Sequence, residues 1–309
     1  MNTNKLFLIS IATITAALIS GSEGVIANSK AKQSVNCPGK NPQFSIEFFQ
    51  TNNNGERYKK GINHVIVFNP QSPKLDFKVN VGLDHQIYAK DSRGRFRREY
   101  VPKQFREIIT DSNSKLNGKS PIAAINADYI DPKNQPQGLN ISRGVEYSGV
   151  FKNRRSSFGI SSGNPQQRQA TIGTGRRGTN ILNYNMVGGN GRFYNQGKFK
   201  DICQALGKFA CEGATNRSLV AITSKGFVIL LVNDVKANSI IQVSANNKEL
   251  LPHQFDNVLT GIARNNCLGT IQEGMLFDGG MSPGLFYNKK LYVENLGPIG
   301  SVFLIYQIK

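Results

Sequence analysis

Several residue types that would point straight to a chemistry are scarce in this chain of 309 residues. It has no tryptophan, three histidines and four cysteines. His64, His85 and His253 are scattered, and no close cysteine pair is matched by a histidine pair, so the spacing of a zinc site is missing. No Cys–His spacing suggests a nucleophilic pair. There is no P-loop, and no Gly-x-Gly-x-x-Gly turn joins a strand to a helix. Charged residues make up only 19% of the chain, and no internal repeat is visible, which argues against a coiled coil and long charged disorder. Acidic residues are the scarcest charge: 20 Asp and Glu face 38 Lys and Arg, a formal net charge of +18. That field attracts polyanions but does not set the fold.

The one long apolar run lies at the N-terminus. Lys5 precedes an uncharged stretch from Leu6 to Ile19, shorter than the roughly 20 residues that span a bilayer. Val25-Ile26-Ala27 then offers small residues where an export signal is cut, so we expect a signal peptide at 1–27, cleaved after Ala27. A polar tether over 28–42 and a domain over 43–309 follow, with no later transmembrane segment. An exported chain meets an oxidising compartment, where Cys37, Cys203, Cys211 and Cys267 can form disulfides. Three pairings are possible. The short spacing around Gly207 favours Cys203 with Cys211, which leaves Cys37 for Cys267.

What the chain has in quantity is turn-forming residues, 31 glycines and 33 asparagines, between short runs of strand character. Leu75 to Val81 alternates strictly, as a half-buried strand does. Ser218–Thr223 and Phe227–Val232 read as a hairpin around Ser224-Lys225-Gly226, and the second arm is apolar throughout, as a strand buried on both faces would be. Ile122–Ile125, Ser157–Ser161, Ala170–Thr174, Met275–Phe277 and Ser301–Tyr306 are further strands, and Met186–Gly191 reads as a glycine-dense turn. Apolar residues recur at helical spacing over 105–116 and 248–263. The expected fold class is α+β: a strand-rich single domain with a mixed or mostly antiparallel sheet and two main helices.

Two strand ends carry polar clusters at the lip of the core. Asn126 and Asp128 follow Ile122–Ile125, and Asp278-Gly279-Gly280 with Ser282 follows Met275–Phe277. Arg217 opens the hairpin. Arg grips phosphate through a planar fork, and glycine lets backbone approach a ligand. Each element alone is also an ordinary turn or cap signal. Together, and in this order with the Pro136-Gln137-Gly138 turn and Gly144, they resemble the phosphodiester glycosidase family, exported relatives of N-acetylglucosamine-1-phosphodiester α-N-acetylglucosaminidase. The likeness covers roughly residues 60–309 and is most specific at Asp278-Gly279-Gly280-x-Ser282. Here Ala127-Asp128 stands where the family has a glycine pair, and Met281 stands where it has a third glycine.

The resemblance implies an exported hydrolase that cleaves a sugar-1-phosphodiester in a polysaccharide or cell-surface glycan. Arg217 would neutralise the leaving phosphate. Asp278 would be the catalytic carboxylate, with Asp128 or Glu146 as its partner. Asn126, Gly279, Gly280, Ser282, Gly138 and Gly189 would contact substrate. No cofactor is expected, and if a divalent cation were used, Asp128, Asp131 and Asp278 would share it. The alternative is a non-catalytic exported carbohydrate- or polyanion-binding protein on the same scaffold. The basic residues Arg93, Arg95, Arg97, Arg98, Lys103 and Arg106, with Arg154-Arg155 and Arg176-Arg177, suggest a docking surface for an anionic envelope polymer as readily as a solvated loop. Nucleic acid is not an expected partner, because no nucleic-acid motif accompanies them.

Overall fold

Short apolar strands that alternate in sequence must bury one or both faces, and this chain does so by stacking sheets between two outer helices. In the computed structural model the described residues are 37, 42–81, 86–90, 96–100, 103–131, 135–147, 155–174, 184–206, 211, 215–235, 250–294 and 297–308. The expected signal segment, nearly all of the tether, and Arg93, Arg95, Arg154, Arg176 and Arg177 lie outside them. Residues Val35–Lys309 form one compact unit.

The strands fall into three main sheets. The largest has seven strands in the order Ile46–Thr51, Asn63–Phe68, Val228–Asn233, Arg217–Thr223, Ile271–Leu276, Asn190–Asn195 and Lys198–Phe199. A five-stranded sheet runs Lys290–Val293, Leu285–Tyr287, Ala123–Asn126, Val302–Gln307 and Leu75–Asn80. A second five-stranded sheet runs Ala170–Thr174, Ser156–Ile160, Asn185–Gly188, Ile141–Ser142 and Val145–Glu146. Every pairing among them is antiparallel. The strand-rich, antiparallel expectation holds in this coarser form, and the single sheet is replaced by three.

Alternation explains the layering. Along Val228–Asn233 all six residues are buried. Val228, Leu230 and Val232 enter a core shared by all three sheets, while Ile229 and Leu231 face the opposite way, onto helix Phe255–Asn265. That helix contributes Phe255, Val258, Leu259, Ile262 and Ala263 to the second core. Fully burying side chains of the larger kinds is worth about 1.5–3 kcal/mol each. The outer face of the sheet holding Val302–Gln307 packs Ala124, Val302, Leu304 and Tyr306 against Phe105, Ile108 and Ile109 of helix Phe105–Thr110. This helix opens with Gln104 N–H donating to Glu107 Oε2 (2.7 Å), and Asp111 ends it by capping a single 3-10 turn, Ser112–Ser114.

Three sequence expectations change. Helix 105–116 is one and a half turns of α-helix followed by the 3-10 turn. The basic stretch around Arg97 and Arg98, expected as a docking surface or solvated loop, contains a pair of strands, Gln86–Lys90 with Phe96–Tyr100. Met186–Gly191 is not a turn: Asn185–Gly188 is a buried strand, and the chain reenters the large sheet at Asn190.

Both disulfides pair as the spacing favoured. Cys37 joins Cys267 with Cα atoms 5.6 Å apart, and Cys203 joins Cys211 at 4.9 Å. The first closes a loop of 230 residues and the second one of 8. Chain-entropy reasoning therefore gives the first the greater weight in stability. Replacing Cys37 and Cys267 by serine is expected to lower unfolding stability by about 2–5 kcal/mol, and replacing Cys203 and Cys211 by less, as read from denaturant midpoints.

Candidate active site

Asp128 is a carboxylate fully removed from water, so it must be satisfied by the protein. Its Oδ2 accepts from Gly138 N at 2.6 Å and Asn140 Nδ2 at 2.8 Å. Its Oδ1 accepts from Tyr129 N at 2.8 Å and lies 3.7 Å from the Arg155 guanidinium. Burial nevertheless dominates and raises its pKa to about 6. The backbone at Gly188 allows this closeness: a Cβ there would stand 2.6 Å from the Asp128 Cγ. The strand that sequence reading took for a turn is thus the floor under this carboxylate.

The Asp278 loop joins the Asp128 strand end directly. Asp278 N donates to Ala127 O at 2.8 Å. Asn126 is wholly buried and holds both sides of the loop: its Nδ2 donates to Asp278 O at 2.8 Å and its Oδ1 accepts from Gly284 N at 3.1 Å. Tyr129 OH donates to Phe277 O at 3.0 Å. Asp278 itself has fewer donors, the Ser282 side chain and Gly279 N–H. Burial raises its pKa to about 7, Ser282 opposes the rise, and the nearby Asp128 charge adds to it.

Arg217 enters from the large sheet. The Asn216 carbonyl accepts from Gly280 N at 3.0 Å, and Ser218 O accepts from Phe277 N at 2.8 Å, so Arg217 lies beside the Asp278-Gly279-Gly280 segment. Gly280 has φ +69°, a conformation glycine takes without cost. The Arg217 side chain is buried, and desolvation lowers its pKa to about 10. It stays a cation at neutral pH. The structure therefore brings Asn126, Asp128, Gly138, Arg217, Asp278, Gly279, Gly280 and Ser282 to adjoining segments. Met281 is exposed at the loop tip.

The other expected residues sit differently. Glu146 is exposed on the edge strand Val145–Glu146, paired with Ile141. Gly189 is buried and engaged by its backbone, its N–H donating to Ser156 O at 3.0 Å. Asp131 accepts from Gln135 N at 2.9 Å. Among the described residues no group of three His, Cys, Asp or Glu is arranged to hold a metal ion. Gly159-Ile160-Ser161-Ser162-Gly163 has the spacing of a nucleophile elbow, but Ser161 N and Oγ both bond Gln169 backbone in a hairpin turn, and no α-helix follows.

Arg155, Tyr129 and Asn140 were missed as site residues. Arg155 is mostly buried, donates to Gln137 Oε1 at 2.6 Å, and places its guanidinium 4.7 Å from the Tyr129 ring centre. In sequence it is half of an Arg-Arg pair that reads as surface charge. Its one signal is a position like that of Arg217, at the entry to a buried strand. Lys103 and Arg106, expected in the docking stretch, pair with Asp111 and Glu294, both at 2.6 Å.

The sequence profile of the phosphodiester glycosidase family matches residues 119–305, over half of the chain. The crystal structure of a hypothetical protein from Synechocystis superposes with a TM-score of 0.53 at 13% identity, covering 85% of this chain and 61% of that one. The chain thus spans under two thirds of that protein's length, and the likeness is one of fold. The zebrafish N-acetylglucosamine-1-phosphodiester α-N-acetylglucosaminidase catalytic domain, auto-inhibited by its pro-peptide, gives a TM-score of 0.48 at 13% identity, covering 86% of this chain and 89% of that one. No curated protein matches.

A carboxyl group with a raised folded-state pKa stabilises the fold only while it is protonated. The Asp278 contribution is therefore present below its unfolded pKa and is lost as pH climbs through about 7. Asp278→Asn is expected to melt several degrees above the parent protein at pH 8, with the difference shrinking towards pH 4, as followed by calorimetry.

Proposed function

The chain belongs to the phosphodiester glycosidase family, and on that premise we propose that it is an exported hydrolase cleaving the bond between a sugar's anomeric carbon and a phosphodiester oxygen in a polysaccharide or cell-surface glycan. The observation that carries this reading is a buried cation, Arg217, on the strand whose backbone bonds the segment of Asp278, a carboxyl group whose pKa is raised to about 7. A departing phosphate monoester is a far weaker base than the alkoxide that an ordinary glycoside would release, so it needs charge neutralisation more than a proton. A desolvated guanidinium suits that task. Asp278 is poised to accept a proton from water at neutral pH, or to face the oxocarbenium-like transition state as an anion.

The two carboxylates take different roles in this reading. Asp128 is saturated by fixed donors and acts as a positioning residue. It fixes Tyr129, Gly138 and Asn140, and its negative charge helps keep the Asp278 pKa high. Asn126 also positions, because its amide binds the Asp278 loop instead of projecting towards substrate. Arg155, held by Gln137 and Tyr129, is a second cation: its guanidinium lies 3.7 Å from Asp128, and its charge opposes the rise of the Asp278 pKa. Export is supported by the N-terminal apolar segment and by two disulfides that need an oxidising compartment.

Hydrolysis of an N-acetylglucosamine-1-phosphodiester, followed by released sugar with and without chelator, tests the proposal. Asp278→Asn is expected to lower kcat by about 10²–10⁴-fold, and Arg217→Gln by about 10²–10³-fold, while both variants stay folded. With Asp278 acting as the anion, kcat/KM rises with pH to a plateau, with its midpoint near 7. A folded protein that binds the compound without turnover, and binds it equally well as Asp278→Asn, would support the binding-protein alternative.

A further inference from the structure

A cavity of about 450 Å³ opens where the large sheet meets the hairpin Leu285–Val293, lined by Lys59, Lys60, His64, Asp234, Lys290 and Tyr292 among others. Three lysines face one carboxylate around it. None of the three lysines makes an ion pair among the described residues, and all three are exposed. Like charges held around one concavity repel, and an entering anion would relieve that repulsion.

The walls are fixed rather than loose. Tyr58 N donates to Gln50 O at 2.9 Å and Gly61 N to Tyr58 O at 3.1 Å, which ties the Lys59-Lys60 turn to the first strand. A Cβ at Gly61 would stand 2.5 Å from Thr51 O, so this turn seats only with glycine there. Gln50 Nε2 lies 3.0 Å from His64 Nδ1; with the amide donating, the neutral ring carries its proton on Nε2. An aromatic ring in the wall flanks the charges: Lys290 Nζ lies 4.8 Å from the Tyr292 ring centre. A ring beside ammonium groups suits a ligand with both an apolar sugar face and an anionic substituent.

The cavity belongs to the same end of the sheet as Arg217. Asn63 pairs with Asn233, which pairs with Arg217, so the strand that carries His64 runs two strand spacings, about 10 Å, from the strand that carries Arg217. Val235, in the cavity wall, donates its N–H to Asn216 Oδ1 at 2.8 Å. We infer that this cavity is a second binding site, distinct from the Asp278 centre, for an oxyanion carried on a glycan. The inference does not depend on the reaction performed at Asp278.

The test is titration calorimetry on the mature protein at physiological salt, using a sulfated tetrasaccharide, its unsulfated counterpart and inorganic phosphate. Two triple variants separate the local site from the overall +18 charge. Lys59→Gln/Lys60→Gln/Lys290→Gln removes the cavity's lysines; Lys74→Gln/Lys115→Gln/Lys119→Gln removes three exposed lysines elsewhere. The sulfated sugar is expected to bind the parent, with about tenfold loss in the first variant and under about threefold in the second. Equal loss in both variants, absence of binding to the parent, or inorganic phosphate binding as tightly as the sulfated sugar would each overturn the inference.

Discussion

Keeping the Asp128 carboxylate out of water is the constraint around which this structure is organised. An unpaired buried anion is prohibitively costly, so donors must converge on it from elements far apart in sequence. Gly138 and Asn140 come from the loop after the strand end, and Arg155 comes from the start of the Ser156–Ile160 strand. Gly188 gives up its side chain so that the neighbouring strand can lie against the carboxylate. The sheet containing Ser156–Ile160 and Asn185–Gly188 is thereby tied to the strand Ala123–Asn126 of another sheet. Asn126 and the Asp278 amide then tie that strand to the end of Ile271–Leu276 in the large sheet. One buried charge and its donors link all three sheets where the polar strand ends meet.

The same arrangement separates two acids by their surroundings. Asp128 has fixed donors on both oxygens and is raised only to about 6, whereas Asp278 has fewer and reaches about 7. Burial is the first cause of both shifts, and the Asp128 charge adds to the second. A carboxyl group poised near neutral pH and a desolvated arginine on the adjoining strand make the division of labour that the proposed glycosyl-phosphate reaction calls for. The departure from the family pattern at Ala127-Asp128 gains a physical meaning here: the added carboxylate faces inward, onto Gly138 and Asn140.

Much of this was legible in the sequence, for reasons that particular residues make plain. Asn126, Asp128 and Asp278 each follow a short apolar run, and a polar side chain at the end of a buried strand has to lie at a boundary. Val228–Asn233 could be read as doubly buried because no polar residue interrupts Val228–Val232. The number of sheets was not legible, since alternation tells which face of a strand is covered and not which strands lie beside it. Arg155 escaped notice because its neighbour Arg154 makes the pair look like surface charge; only Asp128, Gln137 and Tyr129, brought together by folding, turn it inward. The Gln86–Tyr100 hairpin escaped because its basic residues masked a strand pattern. The Asn185–Gly188 strand escaped because glycine signals a turn unless the close approach it permits is known.

The most direct measurement is to run the hydrolysis of a sugar-1-phosphodiester in water enriched in heavy oxygen and to weigh both products. Cleavage between the anomeric carbon and oxygen, with Arg217 receiving an intact departing phosphate, places the heavy atom in the sugar and none in the phosphate monoester. Heavy oxygen in the phosphate would mean that water attacked phosphorus, and the assignment of Arg217 and Asp278 to a glycosidic step would be wrong.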